Sequence, residues 1–123
     1  FRLDNGATLV VVPEAGAPVV SLAACVRVGA PEEGNEPGVA SLLSRVLGRE
    51  SQSRSARLIQ ADVDAFGGFG TDYDGETIGA WVVSDPDPVE VARAAQTLLL
   101  DTLARPRFSE ETVAAARPAQ RRD

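Results

Sequence analysis

The chain has 123 residues, of which 44% are apolar and 24% charged, so it can form one globular domain with a core. Its formal net charge of −6 argues against nucleic acid as the main partner. No apolar run approaches the roughly 20 residues that a membrane-spanning helix needs, so we expect a soluble protein, with bacterial cytoplasm and periplasm both compatible. Because the chain opens on Phe1 and contains no Met, we expect a fragment of a longer polypeptide.

Histidine is absent and cysteine occurs once, which excludes several kinds of site. Without His, the chain alone cannot build a His-based zinc site, a Ser–His triad or a Cys–His dyad. Cys25 lies in the apolar stretch "VVSLAACVRVG", so we predict a buried strand thiol there. A carboxylate-only Mg²⁺ or Ca²⁺ site remains open, but no EF-hand, P-loop or dinucleotide-binding pattern occurs.

The first third of the chain carries strand patterns. Asn5-Gly6 is a strong two-residue hairpin signal, and a β-rich run over 8–12 follows it. The mostly apolar stretch 18–30 predicts a longer strand, which we place at the centre of a sheet with at least one buried face. The acidic, glycine-rich segment 29–38 matches no metal loop and is predicted to be a connection.

A helix is predicted over 37–48, which contains "GVASLLSRVLG". Its apolar residues recur at the spacing of one helix face and predict packing against the sheet: Val39, Leu42, Leu43, Val46 and Leu47. The opposite face carries Ser41, Ser44 and Arg45, whose offsets aim three side chains at one point. Enzymes use such a trio to hold a metal and a base, whereas two hydroxyls and a guanidinium do neither well.

A second helix and a pair of strands follow. Ser55 begins the helix, and Gly67 ends it because glycine suits the left-handed conformation at a helix end. The stretch 69–85 predicts two strands, with Asp74-Gly75 as a turn or as a bulge within one bent strand.

Capping residues mark the remaining helix starts. We place the N-cap of the first helix at Asn35 or Glu36, that of a third helix at Asp87, and that of a fourth at Ser109. Core-facing residues recur along the third helix: Val91, Ala95, Leu98, Leu99 and Leu103. Short hairpins and grouped helices favour an α+β fold, with an antiparallel or mixed β-sheet and helices packed on one face.

Several of these pieces, in this order and at this spacing, resemble the pitrilysin/insulinase-type (M16) metallopeptidase family. They are "LDNGATLVVVPE", "APVVSLAACVRVGAPEE", "PGVASLLSRVLGR" and the stretch from "SARLIQADVDAFGGFG" to "FSEETV". The resemblance covers nearly the whole chain. It implies that residues 1–123 form one unit, the N-terminal portion of a LuxS/MPP-like metallohydrolase-type domain, whose full size in the family is on the order of 200 residues.

Active members of the family carry His-x-x-Glu-His on the helix that here contains "SLLSR". The resemblance implies that Ser41 and Arg45 stand in place of the two zinc-binding His, and Ser44 in place of the general base. A third family ligand, a Glu on the last helix, falls on or beside Asp123. We therefore expect a lost zinc site and no hydrolysis by this chain, with Arg45 paired to Asp123, bound to a substrate carboxylate or facing solvent.

The resemblance implies three functions, which the sequence leaves open. The first is a non-catalytic subunit or domain that pairs with an active zinc peptidase half, helps form its chamber and binds peptide. The second is a structural scaffold, like the core proteins of respiratory complex III. The third is a part of an active zinc metalloendopeptidase whose zinc site lies in another domain. The expected partner is an M16-type subunit or the second half of the same chain, and zinc is expected only there.

A bound peptide is expected, by the same resemblance, to add a strand along an exposed sheet edge. The residues that would form this edge are consecutive: Phe69, Gly70, Thr71, Asp72, Tyr73 and Asp74. The alternative is a plain hairpin edge, which Asp72 and Asp74 protect against pairing.

Overall fold

The structure, a computed structural model, describes residues 1–120. In that range the strands are β1 (Val20–Val26), β2 (Gly67–Tyr73) and β3 (Ile78–Ser84). The helices are α1 (Val39–Val46), α2 (Ala56–Phe66), α3 (Val89–Ala104) and α4 (Glu110–Gln120), and a short 3₁₀ turn at Ala30–Glu32 precedes α1. Across residues 1–120, no helix combines the length and the apolar character needed to cross a membrane.

The three strands form one antiparallel sheet in the order β1-β3-β2. Val82 of β3 is aligned with Leu22 on one side and with Phe69 on the other, so β3 occupies the middle. Gly75 has a φ of +98° in the turn that joins β2 to β3, and the two-strand prediction for 69–85 is confirmed. The central position predicted for the strand over 18–30 is wrong, because β3 takes it by pairing on both sides.

Side chains alternate along β3, and the alternation decides which face of the sheet holds the core. Ala80 and Val82 are buried, whereas Trp81 between them lies on the opposite face. The buried cluster draws on α2, β3 and α3: Ile59, Phe66, Ala80, Val82, Ala95, Leu98 and Leu99. The helices therefore pack on one face of a three-stranded antiparallel sheet, and the predicted α+β fold is confirmed.

The predicted N-terminal strand does not form. The Asn5-Gly6 turn is present, since Gly6 has a φ of +86° and the Ala7 amide donates to Asn5 Oδ1 at 3.0 Å. Only an isolated bridge joins Arg2 to Thr8, and the run over 8–12 is exposed. A strand needs a partner to satisfy its backbone groups, and beyond that bridge residues 1–120 provide none for this run.

The Cys25 thiol is exposed, so the predicted burial is wrong. The residue pairs with Gly79 across the β1–β3 ladder, on the sheet face that the helices leave uncovered. An apolar neighbourhood in sequence does not bury a side chain when only one face of the sheet is packed.

Two helix starts differ from the predicted caps. At α1 the Glu33 carboxylate accepts from the amides of Gly38 and Ala40, both at 2.8 Å, so neither Asn35 nor Glu36 is the cap. A carboxylate five to seven residues upstream reaches these amides because the intervening chain folds into turns. At α3 the N-cap is Pro88 rather than Asp87, since Pro88 is extended (ψ 153°) and the helix begins one residue later.

The predicted Ser109 cap is confirmed, and Ser55, where the second helix was predicted to begin, is the N-cap of α2. The Leu58 amide donates to Ser55 Oγ at 3.4 Å at the start of α2, and the Thr112 amide donates to Ser109 Oγ at 3.2 Å at the start of α4. Each hydroxyl thus satisfies one of the amides that a helix leaves without a partner in its first turn.

Candidate functional site

A cleft of about 990 Å³ opens between α1, β2, α4 and the first turn of α2. The residues of α1 that line it are Ser41, Ser44 and Arg45, so the structure brings the predicted trio to one surface. Thr71 and Tyr73 of β2 line the same cleft. Two separately predicted features, the polar face of the helix and the sheet edge, therefore meet in a single site.

Ser44 is the most enclosed member of the trio. It is only 7% exposed, and its hydroxyl donates to the Ser41 carbonyl at 2.8 Å, one turn back along α1. The Thr71 hydroxyl donates to the Ser44 carbonyl at 2.6 Å and joins β2 to α1. This contact explains why Ser44, predicted on a polar face, is buried: that face of α1 lies against the sheet.

Arg45 lies in the last turn of α1, and its Nε atom is removed from solvent. The Arg45 carbonyl accepts a hydrogen bond from Arg49 Nε at 3.3 Å. Both arginines line the cleft, so the end of α1 supplies it with two guanidinium groups. Asp123, the predicted third member of this site, lies outside the described residues.

The predicted edge residues divide between the two faces of β2. Thr71 and Tyr73 point towards the cleft, and Phe69 packs against the hydrophobic core. Gly70 and Asp72 lie on the opposite face, where Gly70 is aligned with Trp81. A side chain at Gly70 would collide with the Trp81 indole, so this position tolerates only glycine without rearrangement. Within residues 1–120, β2 pairs with β3 alone and is an edge strand of the sheet.

Asp74 shapes the turn at the end of this edge rather than the cleft. Its Oδ1 atom accepts from the amides of Glu76 at 2.9 Å and Thr77 at 2.7 Å. These backbone hydrogen bonds hold the pKa of the Asp74 carboxyl below its usual value. The residue therefore fixes the β2–β3 turn.

The sequence analysis missed four charged residues that line the cleft. They are Arg49, Glu50, Arg57 and Glu111. Burial raises the pKa of Glu50, but hydrogen bonds from Ser109 and Thr112 outweigh burial and leave the pKa below its usual value. The signal in the sequence was the density of arginine over 45–57, where four Arg occur from the end of the first predicted helix to the start of the second.

The residues at the cleft do not fit a catalytic zinc ion. The Ser44 hydroxyl is engaged with a helix carbonyl, and the Arg45 guanidinium is a permanent cation that repels a metal. Residues 1–120 contain no group of three or more Asp, Glu or Cys side chains placed to hold a metal ion.

The fold has a counterpart among solved structures. Neither a family model nor a curated protein sequence matches the chain. The chain is similar to the crystal structure of a peptidase M16 inactive domain from Pseudomonas fluorescens, with a TM-score of 0.79 and 22% sequence identity. The match covers 88% of this chain and 26% of that chain, so this chain spans about a quarter of the neighbour's length. The M16-like fold implied by the sequence resemblance is thereby confirmed.

Proposed function

We propose that this chain is a non-catalytic M16-like domain that pairs with a zinc-containing M16-type half and helps it to hold peptide. One observation carries the proposal: in an M16-like fold, Ser41, Ser44 and Arg45 line the cleft, and these are the α1 positions to which the sequence resemblance assigns the zinc motif of active members. A fold kept without its metal-binding side chains is expected to serve assembly or binding. Hydrolysis and zinc belong, in this proposal, to the partner or to another domain.

The position of β2 supports a role in holding peptide. Its outer edge is not paired within residues 1–120, so its backbone groups can add a strand from a partner. Thr71 and Tyr73 project from this strand into the cleft. A peptide paired with β2 would therefore run beside the cleft and could place alternate side chains in it.

The test is a reconstitution. The full polypeptide is co-purified with its partner, and the partner's zinc content and peptidase activity are measured with this chain present and absent. A clear loss of activity without the chain, with zinc confined to the partner, supports the proposal. Unchanged partner activity overturns the helper role.

The same experiment separates the alternatives. A stable assembly that binds no peptide, and whose partner has no peptidase activity, indicates a structural scaffold. Stoichiometric zinc in the polypeptide that contains this chain, outside residues 1–123, indicates a zinc metalloendopeptidase of which this chain is one domain.

A further inference from the structure

The cleft is lined by arginines that come from one short segment of an otherwise acidic chain. Arg45, Arg49 and Arg57 line it, although the chain as a whole carries a net charge of −6. They come from the last turn of α1, the turn after it and the first turn of α2. Three guanidinium-bearing residues from the segment 45–57 therefore line one concave surface.

Two acidic residues, Glu50 and Glu111, also line the cleft, and the Glu50 carboxylate is hydrogen-bonded to the start of α4. The Glu50 carboxylate accepts from the Ser109 amide at 3.3 Å and from Ser109 Oγ at 3.1 Å, at the start of α4. The negative charge of Glu50 thus lies at the N-terminal end of α4, where the helix dipole favours it. Glu111 is exposed on α4. Among the described residues of the cleft, three are arginines and two are acids.

A fourth arginine of the same segment shows that this placement is selective. Arg54 does not line the cleft but pairs with Asp62 of α2, at 3.5 Å between Nη1 and Oδ2. Arg54 therefore contributes no guanidinium group to the cleft.

We propose that the cleft binds a carboxylate group of a peptide, either the side chain of Asp or Glu or a free C-terminus. Guanidinium groups match carboxylates geometrically, and the Ser41 hydroxyl in the same cleft offers a neutral polar partner. Partial enclosure by α1, α4 and β2 strengthens such contacts relative to open solvent. This inference rests on the proposed function, since it names the chemistry of the peptide that β2 would hold.

Three matched peptides test the inference on the full polypeptide by calorimetric titration. All three share a neutral Ser/Gln sequence with an acetylated N-terminus. The first is amidated at its C-terminus, the second is amidated and carries two central Glu, and the third has a free C-terminus. We expect the second or the third to bind roughly tenfold more tightly than the first, with the preference falling as salt rises. Which of the two gains affinity identifies the source of the carboxylate.

Substitution of exposed arginines locates the site. R49Q/R57Q is expected to abolish the tenfold preference for the carboxylate-bearing peptide. R27Q/R93Q removes the same charge at exposed positions away from the cleft and is expected to retain the preference. Since all four side chains are exposed, both variants are expected to fold, which circular dichroism checks.

Each other outcome contradicts a stated part of the proposal. Equal binding of all three peptides overturns the carboxylate site and leaves the proposed peptide-holding function intact. A preference that persists in R49Q/R57Q overturns the assignment to this cleft. Absence of binding by every peptide overturns the carboxylate site and peptide holding together.

Discussion

The Thr71 hydroxyl donates to the carbonyl of Ser44 at 2.6 Å, and this contact joins the edge strand β2 to the end of α1. The carbonyls in the last turn of a helix have no intrahelical partner, so a side chain from the sheet satisfies one of them. The consequence is geometric: the strand edge and the polar face of α1 are held against each other and form one cleft.

Loss of this hydroxyl should destabilise the fold. Thr71→Val keeps the side-chain shape but leaves the Ser44 carbonyl without its donor, and we expect the free energy of unfolding to fall by about 1–2 kcal/mol. Urea denaturation followed by circular dichroism measures the change. Thr71→Ser retains the hydroxyl and is expected to lose clearly less stability. A loss in Thr71→Ser as large as that in Thr71→Val would contradict the assignment of the effect to the hydrogen bond.

Gly48 provides a test of packing between the turn after α1 and the strand β2. It has a φ of +79°, and an added Cβ would collide with the Phe69 ring. Gly16 has nearly the same φ, +77°, with no atom within 4 Å of an added Cβ. Gly48→Ala is expected to cost about 1 kcal/mol of backbone strain plus ~1–3 kcal/mol of overpacking, whereas Gly16→Ala bears the strain alone. Equal unfolding free energies for the two variants would contradict the predicted collision.

Local signals in the sequence predicted most of the fold. The Asp74-Gly75 turn, the start of α2 at Ser55, the Ser109 cap and the apolar spacing along α3 depend on neighbours within a few residues, and the structure confirms them. Strand order and sheet face depend on contacts between distant segments. The central position of β3 and the exposure of Cys25 were therefore missed.

The candidate site was predicted in part for the same reason. The trio on α1 follows from helical periodicity, so its convergence was predictable. The arginines from the turn after α1 and from α2 reach the cleft only through the path of the intervening loop. The Glu33 carboxylate likewise reaches the amides at the start of α1 because the chain between them folds into turns. No local capping pattern predicts this contact.

Asp101 anchors that intervening loop to α3. Its side chain is only 4% exposed. The Oδ2 atom accepts hydrogen bonds from Ser51 Oγ and Ser53 Oγ, both at 2.7 Å. The Oδ1 atom lies 2.7 Å from Arg105 Nη2. Asp101→Ala leaves these donors without their acceptor, and we expect a loss of roughly 2–3 kcal/mol in the free energy of unfolding. Asp85→Ala removes the same charge at an exposed position and serves as the control. A comparable loss of unfolding free energy in both variants would show that the change in net charge, and not the loss of the hydrogen bonds, causes the effect.

The Asp101 carboxylate also makes the free energy of unfolding depend on pH. Hydrogen bonds from Ser51 and Ser53, aided by Arg105, hold the pKa of Asp101 below its usual value although burial opposes them. The unfolded chain therefore binds more protons than the folded chain in the acidic range. This stabilisation is fully present above an ordinary Asp pKa of about 3.9 and is lost as the pH falls through the lower folded pKa.

Urea midpoints measured from neutral pH to pH ~2 should therefore fall below about pH 4. Asp101→Asn removes the titrating group and should flatten part of that fall. Glu50, whose pKa is also lowered, contributes with the same sign and accounts for a part that remains. A pH dependence identical in the wild type and Asp101→Asn would contradict the assignment to Asp101.

Zinc uptake tests the interpretation of α1 directly. After chelation and exposure to excess zinc, the wild-type chain is expected to retain only substoichiometric metal, since the Ser44 hydroxyl is engaged with the Ser41 carbonyl and the Arg45 guanidinium repels a cation. The variant S41H/R45H places two imidazoles at i and i+4 on one helix face and is expected to bind measurable zinc. Mass spectrometry under native conditions compares the two proteins. Stoichiometric zinc in the wild type would overturn the interpretation of these positions, and uptake by the variant shows that the assay detects metal at this helix face.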